Sequence, residues 1–286
     1  MTNFTGKTAV ITGAASGIGY AIAQRLAAEG AHLVIADIED PPREQAVAAL
    51  REAGAEAIGV PVDVSNFESI QALAARSLEA FGRVHILVNN AGVAGEFGSC
   101  WDSGIEAWRW TLGVNLWGVI HGIRAFLPHM LAHGEEAHVV NTASAAAFLP
   151  IPFAAAYGVS KSGVVSLSES LYCELAGVNS SVSVSVLCPA AVNTRIAESD
   201  RNRPHAARPL TDREHAFLAN RKDAVRKAIA EGISPAVVAE QVLAAIRHRR
   251  FYVLTHPEIN PIIEERLRNI LDGRNPAVLN MLDAPS

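Results

Sequence analysis

Short, nearly continuous apolar runs alternate with longer stretches in which apolar residues recur every three to four positions, through residue 188. The runs fall at about 7–12, 32–37, 56–62, 84–90, 138–144 and 182–188, and each predicts a strand. Val84-His85-Ile86-Leu87-Val88 is apolar almost throughout, not at alternate positions, as a strand covered on both faces requires. Between the first two runs, Ile18, Ile22, Ala23 and Leu26 keep helical spacing and Glu29-Gly30 supplies a glycine stop. Crossovers of this length imply parallel pairing with right-handed connections. The pattern therefore predicts an α/β fold: a doubly wound parallel sheet of about seven strands with helices on both faces. Phe251-Tyr252-Val253-Leu254-Thr255, after two further helices, is placed at the sheet's edge.

Two stretches depart from the alternation. Arg195 to Ile233 opens with polar Ser199-Asp200-Arg201-Asn202-Arg203-Pro204 and continues as a helix around 214–231, carrying Phe217, Leu218, Val225 and Ile229 at spacings that bury one face. It is expected to act as a mobile lid, poorly packed at its start until it orders over cofactor and substrate. His256 to Ser286 carries Ile262, Ile263, Leu267, Ile270 and Leu271 at helical spacing, a terminal helix expected to pack on its own domain or on a partner. With 286 residues, half of them hydrophobic, one domain over 1–286 can bury its own core.

Candidate chemistry lies where strands end. Tyr157 and Lys161 are spaced i, i+4, so one helical turn sets a phenol beside an ammonium, and a nearby cation is expected to draw the phenol's pKa down toward a useful range. Lys7–Thr12 runs straight into Gly13-Ala14-Ala15-Ser16-Gly17-Ile18-Gly19 and a helix. Strand, glycine turn and helix form a phosphate cradle, in which free N–H groups and the helix dipole meet a pyrophosphate. Asp37 closes the second strand some twenty residues on, where a carboxylate accepts from both ribose hydroxyls and repels a 2′-phosphate. That favours NAD over NADP, since neither Ser16 nor Ile38 offers a cation.

Taken in order, these motifs resemble the short-chain dehydrogenase/reductase family in its compact single-domain form, from about Gly6 to Thr255. The resemblance implies a Rossmann-like core over 6–255 with NAD as cofactor. Cofactor contacts would come from Gly13, Ser16, Gly17, Ile18, Gly19 and Asp37, from Asp63-Val64 at the adenine, and from Asn90, Ala91 and Gly92 in Asn89-Asn90-Ala91-Gly92. Pro189 would also contact the cofactor, and Val192 and Thr194 would meet the carboxamide of the nicotinamide, although Ala190 stands where the family usually has glycine. Asn115, Ser144, Tyr157 and Lys161 match the catalytic set. Tyr157 would exchange the proton of the substrate hydroxyl, Ser144 would stabilise its oxygen, Lys161 would hold the nicotinamide ribose, and Asn115 would brace a proton-relaying water. Family resemblance also implies a homodimer or homotetramer through the helices around 112–130 and 155–176.

The remaining signals are mostly exclusions. Net charge is −5 and basic residues are dispersed apart from Arg247-His248-Arg249-Arg250, so nucleic acid is not an expected partner. No apolar run approaches the ~20 residues of a membrane span, and the first strand begins close to Met1, so a soluble cytoplasmic protein is expected. Cys100, Cys173 and Cys188 lack zinc spacing and read as reduced thiols, and the ten histidines suggest no metal site. The leading reading is an NAD-dependent secondary-alcohol dehydrogenase. The competing ones are an NAD-using isomerase or dehydratase, a non-catalytic dinucleotide sensor or scaffold, and an NADPH reductase. Val93, Phe97, Trp101, Phe148, Leu149, Ile151 and Phe153 are the pocket candidates, and they suggest a hydrophobic cyclic or aromatic alcohol or ketone as substrate.

Overall fold

A computed structural model describes residues 1–204 and 212–276, apart from the side chains of 212–218 and 220. The expected alternation is present: β1 (Thr8–Thr12), α1 (Gly17–Ala28), β2 (His32–Asp37), α2 (Asp40–Glu52), β3 (Ala57–Pro61), α3 (Phe67–Phe81) and β4 (Ile86–Asn89). There follow α4 (Ile105–Leu112), α5 (Gly118–His133), β5 (Ala137–Thr142), α6 (Ala155–Gly177) and β6 (Val182–Cys188). The chain continues with α7 (Asp212–Ala230), α8 (Pro235–His248), β7 (Tyr252–Leu254) and α9 (Asn260–Leu271). The strands form one sheet in the order β3-β2-β1-β4-β5-β6-β7, every neighbouring pair parallel, with β7 at the edge beside β6.

Continuous apolar strands are explained by a core on each face. On one face Leu33 and Ile35 of β2 pack with Ile22 and Leu26 of α1 and with Val242, Leu243 and Ile246 of α8, all fully buried. On the other, Val10 and Leu87 pack with Ile70 and Leu73 of α3 and with Phe126 and Met130 of α5. Each such side chain contributes about 1.5–3 kcal/mol over leaving it in water. The β1–β4 neighbours therefore form a rigid central pair, in register Val10 to Leu87.

Local signals set several ends. Asn66 caps α3, accepting from Glu68 N at 2.9 Å and Ser69 N at 3.3 Å, and Ser234 caps α8 ahead of Pro235. The sequence pattern did not foretell a wide π turn over Gly113–Trp117 between α4 and α5. Such turns widen a helix by one residue, commonly where a side chain must be aimed at a site.

One expectation about the irregular stretches is modified. Arg195–Asn202 is a 3₁₀ turn and not a loosely packed start: its charged residues bond to both neighbouring loops, so polar contacts replace the apolar packing it lacks. The side chains of Phe217 and Leu218 lie outside the described residues, as do residues 205–211 and 277–286. In α9 Asn269 is buried, whereas Leu267, Ile270 and Leu271 are exposed on the single chain.

Candidate active site

Sheet order reverses direction between β1 and β4, and in open α/β sheets the crevice beyond the carboxyl ends of strands at such a point is where ligands bind. A cleft of about 360 Å³ lies there. Of the residues expected from the sequence, Gly13, Ser16, Gly17, Ile18, Asp37, Asp63, Val64, Asn90, Ala91 and Gly92 line it. Tyr157, Lys161, Pro189, Val192 and Thr194 line it too. Gly19, Asn115 and Ser144 stand behind the wall, the last two buried at 0% and 8% exposure.

The glycine turn is built for close backbone approach. Gly13 and Gly17 have φ of +63° and +57°, where a side chain would be strained, and a Cβ on Gly19 would stand 2.5 Å from the Gly13 carbonyl oxygen. Asn90 holds the turn from β4, donating from Nδ2 to Thr12 O at 3.0 Å and Gly13 O at 3.2 Å. Ser16 is the N-cap of α1 but makes no side-chain cap bond, which leaves the first-turn N–H groups uncapped by any side chain. That arrangement fits a phosphate. Asp37 Oδ2 accepts from Ala15 N at 2.9 Å and Oδ1 from Glu39 N at 3.1 Å, fixing the carboxylate at the turn's edge.

Four further side chains gather at the cleft. The π turn aims Asn115 inward: Oδ1 accepts from Val93 N at 2.8 Å, and Nδ2 donates to Val93 O at 3.0 Å and to Ser160 Oγ at 3.1 Å. Ser160 Oγ donates in turn to Tyr157 O at 2.7 Å, so the asparagine is tied to the helical turn that carries the phenol. Ser144, two residues past β5, accepts from Ala146 N at 3.1 Å and lies 3.2 Å from Pro189 O. Its hydroxyl lowers the pKa of the Tyr157 phenol, the direction expected of a donor that favours the phenolate. Lys161 is buried and donates from Nζ to Thr142 O at 3.0 Å.

The electrostatics correct one expectation. Lys161 was expected to draw the Tyr157 phenol down, yet burial pushes the phenol above its usual value and the Ser144 hydroxyl pulls it back only in part. Burial also dominates at Lys161, lowering it to about 8, with the neighbouring Cys188 acting the other way. The ammonium lies 5.7 Å from the ring centroid and spends a donor on Thr142, so in the free protein desolvation outweighs attraction. Cys188 is itself pushed up to about 12 by burial, which makes it an inert thiol beneath the site.

The substrate side differs from the sequence list. Among the seven candidates Val93 lines the cleft, whereas Trp101 is 80% exposed, Phe148 packs against a core behind β6, and Leu149 lines a separate cavity beside α9. Trp110, Ile196, Ser199 and Ile229 line the cleft instead. They sit on α4, the 3₁₀ turn and α7, elements whose approach to the sheet no local periodicity reports. Sequence reasoning also missed His256. Its Nδ1 accepts from Thr255 Oγ1 at 2.6 Å and Ala190 N at 3.3 Å, so Nε2 carries the proton that Ala191 O accepts at 3.0 Å. A polar residue just past the carboxyl end of β7 was the available signal.

With this geometry in view, comparison with known proteins identifies the family. A family model for short chain dehydrogenase matches residues 7–205. The chain is a short-chain dehydrogenase/reductase. Among solved structures, a short-chain dehydrogenase/reductase from Burkholderia phymatum in complex with NAD is 45% identical, covers 100% of both chains and superposes with a TM-score of 0.92. A CLA biosynthesis dehydrogenase/reductase of Lactiplantibacillus plantarum is 32% identical over 97% of this chain and 98% of its own. A C alpha-dehydrogenase of a Sphingobium species is 30% identical over 96% and 89%. As an oxidoreductase of this family, the dehydrogenase needs a dinucleotide and an acid/base group in one cleft.

Proposed function

We propose that this dehydrogenase interconverts a secondary alcohol and a ketone with NAD, on a hydrophobic cyclic or aromatic substrate. The observation that carries the reading is that Tyr157 and Lys161 line the same cleft as the glycine turn and Asp37, with Asn115 and Ser144 buried behind it. NAD, when bound, supplies the hydride acceptor in oxidation and its reduced form the donor. The NAD-bound relative supports this choice of cofactor. So does the engagement of Arg43, whose Nη1 donates to Asp37 O and Asp40 Oδ1 and is not free for a 2′-phosphate.

Within that reading, Tyr157 Oη takes the proton of the substrate hydroxyl and returns it in reduction. Its raised pKa keeps the phenol protonated in the free protein, which suits it as donor to a ketone. Ser144 Oγ turns its proton from Pro189 O to the substrate oxygen and stabilises charge there. Lys161 Nζ keeps donors beyond the one given to Thr142 O for the nicotinamide ribose, and with a value lowered to about 8 it can pass protons near neutrality. Asn115 fixes the loop at Val93 and, through Ser160, the first turn of α6.

An apolar substrate is supported by Val93, Trp110, Ile196 and Ile229 in the cleft wall. Exposed Trp117, Val159 and Tyr172 on the π turn and α6 support a homodimer or homotetramer, since apolar surface of this kind favours burial between subunits. The deciding experiment is a panel of cyclic, aromatic and short aliphatic alcohols with NAD and with NADP, following reduced nicotinamide by absorbance. Turnover of bulky apolar alcohols with NAD is expected. No turnover of any alcohol or ketone would leave the non-catalytic sensor as the better reading.

A further inference from the structure

Residues 195–204 cross the cleft and are fastened on both banks. On the substrate bank Ser199 Oγ accepts from Ala94 N at 2.9 Å, and Arg203 pairs with Glu96 and lies 5.6 Å over the Trp110 ring. On the adenosine bank a single oxygen takes every contact: Glu39 Oε1 accepts from Arg201 Nε at 2.7 Å and Asn202 Nδ2 at 2.7 Å, and forms an ion pair with Arg201 Nη2 at 2.6 Å. The third nitrogen, Arg201 Nη1, donates to the carbonyls of Arg195 and Glu198, so the guanidinium also closes the 3₁₀ turn on itself.

The two fastenings are unequal. Arg203 and Glu96 are each 9% exposed, whereas Arg201 and Glu39 are 29% and 19% exposed. Water and salt reach the second pair more readily and weaken it first. Glu39 has no competing duty: it is the N-cap of α2 but makes no side-chain cap bond, and Asp37 already occupies the ribose position. Its carboxylate is nevertheless held below the usual range, since the bonds from Arg201 and Asn202 outweigh the burial that opposes ionisation.

We propose that Glu39 is a positioning residue, the catch of a strap over residues 195–204 that is hinged at Arg203–Glu96 and released at Arg201 and Asn202 to let the dinucleotide enter and leave. The catch stands two residues beyond Asp37, so the loop that receives the adenosine ribose also holds the strap. This rests on the proposed use of NAD, and the test separates the two. Hydrogen exchange of the free full-length protein is measured for the wild type, Glu39→Gln, Arg201→Gln and the double variant, beside stopped-flow dissociation of NADH.

Peptides spanning 195–204 are expected to exchange faster in each single variant, with the double variant no faster than either, while peptides of β1 and α1 stay unchanged. NADH dissociation should accelerate about tenfold in each single variant, again without addition in the double. The charge swap Glu39→Arg with Arg201→Glu should restore part of both. Unchanged exchange at 195–204, or additive effects of the two substitutions, would overturn the strap. If NADH does not bind the wild type, the cofactor reading fails and the exchange data alone decide the catch. Should the singles fold poorly, rising salt must speed exchange at 195–204 ahead of the α8 and β6 peptides in the wild type, and equal protection at all salt concentrations overturns it.

Discussion

Lys161 Nζ stands 3.0 Å from the carbonyl oxygen of Thr142 and 5.7 Å from the centroid of the Tyr157 ring. The end of β5 thus holds the cation beside the phenol and not against it, and the two groups can be separated by mutation. Tyr157→Phe should leave NAD binding nearly intact and lower kcat by the ~10²–10⁴-fold associated with general acid/base catalysis. Lys161→Ala should weaken binding and turnover together, because the same ammonium would hold the ribose. Steady-state kinetics with cofactor titration by fluorescence distinguish the two variants, and retained activity in Tyr157→Phe would sink the mechanism.

Burial of Lys161 also sets a pH dependence of stability. Its value is about 8 in the folded protein against 10.5 in the unfolded chain, so between those limits the unfolded state binds the extra proton. Stability from this group therefore rises as pH increases from about 8, and below 8 the full cost of a buried charge is present. Lys161→Met removes that cost. The free variant should melt higher than the wild type at pH 7, and the gap should narrow as pH rises through 8 and beyond. A gap that widens with pH would mean that the ammonium is net stabilising in the folded state.

Much of the architecture was legible because the strands are apolar on both faces: β1 is buried at all five positions, so the strand, its parallel partners and the covering helices follow from one run. The glycine turn and Asp37 were legible because backbone approach and carboxylate placement depend on local spacing. Trp110, Ser199 and Ile229 were not, since they reach the cleft through the docking of α4, the 3₁₀ turn and α7, which no period encodes. The direction of the Tyr157 shift was missed for a related reason. Helical spacing reports that a cation is near, but the desolvation that outweighs it is a property of the packed surroundings.

Cofactor choice follows from charge at the end of β2. Asp37→Ser with Ile38→Arg removes a carboxylate that would repel a 2′-phosphate and supplies a cation, while Arg43 remains engaged by Asp40. The double variant should gain kcat/KM with NADP and lose it with NAD, shifting the ratio by about tenfold or more for each 1.4 kcal/mol of changed interaction. A wild type that already prefers NADP would refute the role given to Asp37.

At the far end of the sheet Glu135 collects Lys7 at 2.8 Å and His85 at 3.1 Å, and also pairs with Arg83. The bonds from Lys7 and His85 hold its carboxyl down at about 2. Since the unfolded chain takes up a proton near the ordinary carboxylate value, the stabilisation is complete above about 4.5 and is lost as pH falls toward 2. Glu135→Gln should lower the melting temperature at pH 7 and bring the variant and wild-type curves together as pH drops through that window. Parallel curves across it would mean that the cluster contributes little.

His256 offers the last separation, between holding the fold and holding the cofactor loop. Its ring bridges Ala190 N and Ala191 O, the two residues after Pro189, and Ala191 O also accepts from Ile233 N at 3.1 Å. The loop that carries Val192 and Thr194 is thus pinned from two sides, at the point where alanine stands in place of the family's glycine. His256→Ala leaves the part-buried Ala190 N–H without its partner, a cost of about 1 kcal/mol, while Ala191 O keeps the bond from Ile233 N. KM for NAD should rise several-fold with a smaller change in kcat. His256→Gln, which can both donate and accept, should recover part of the affinity. A fall in melting temperature with NAD affinity unchanged in the alanine variant would assign His256 to the fold alone.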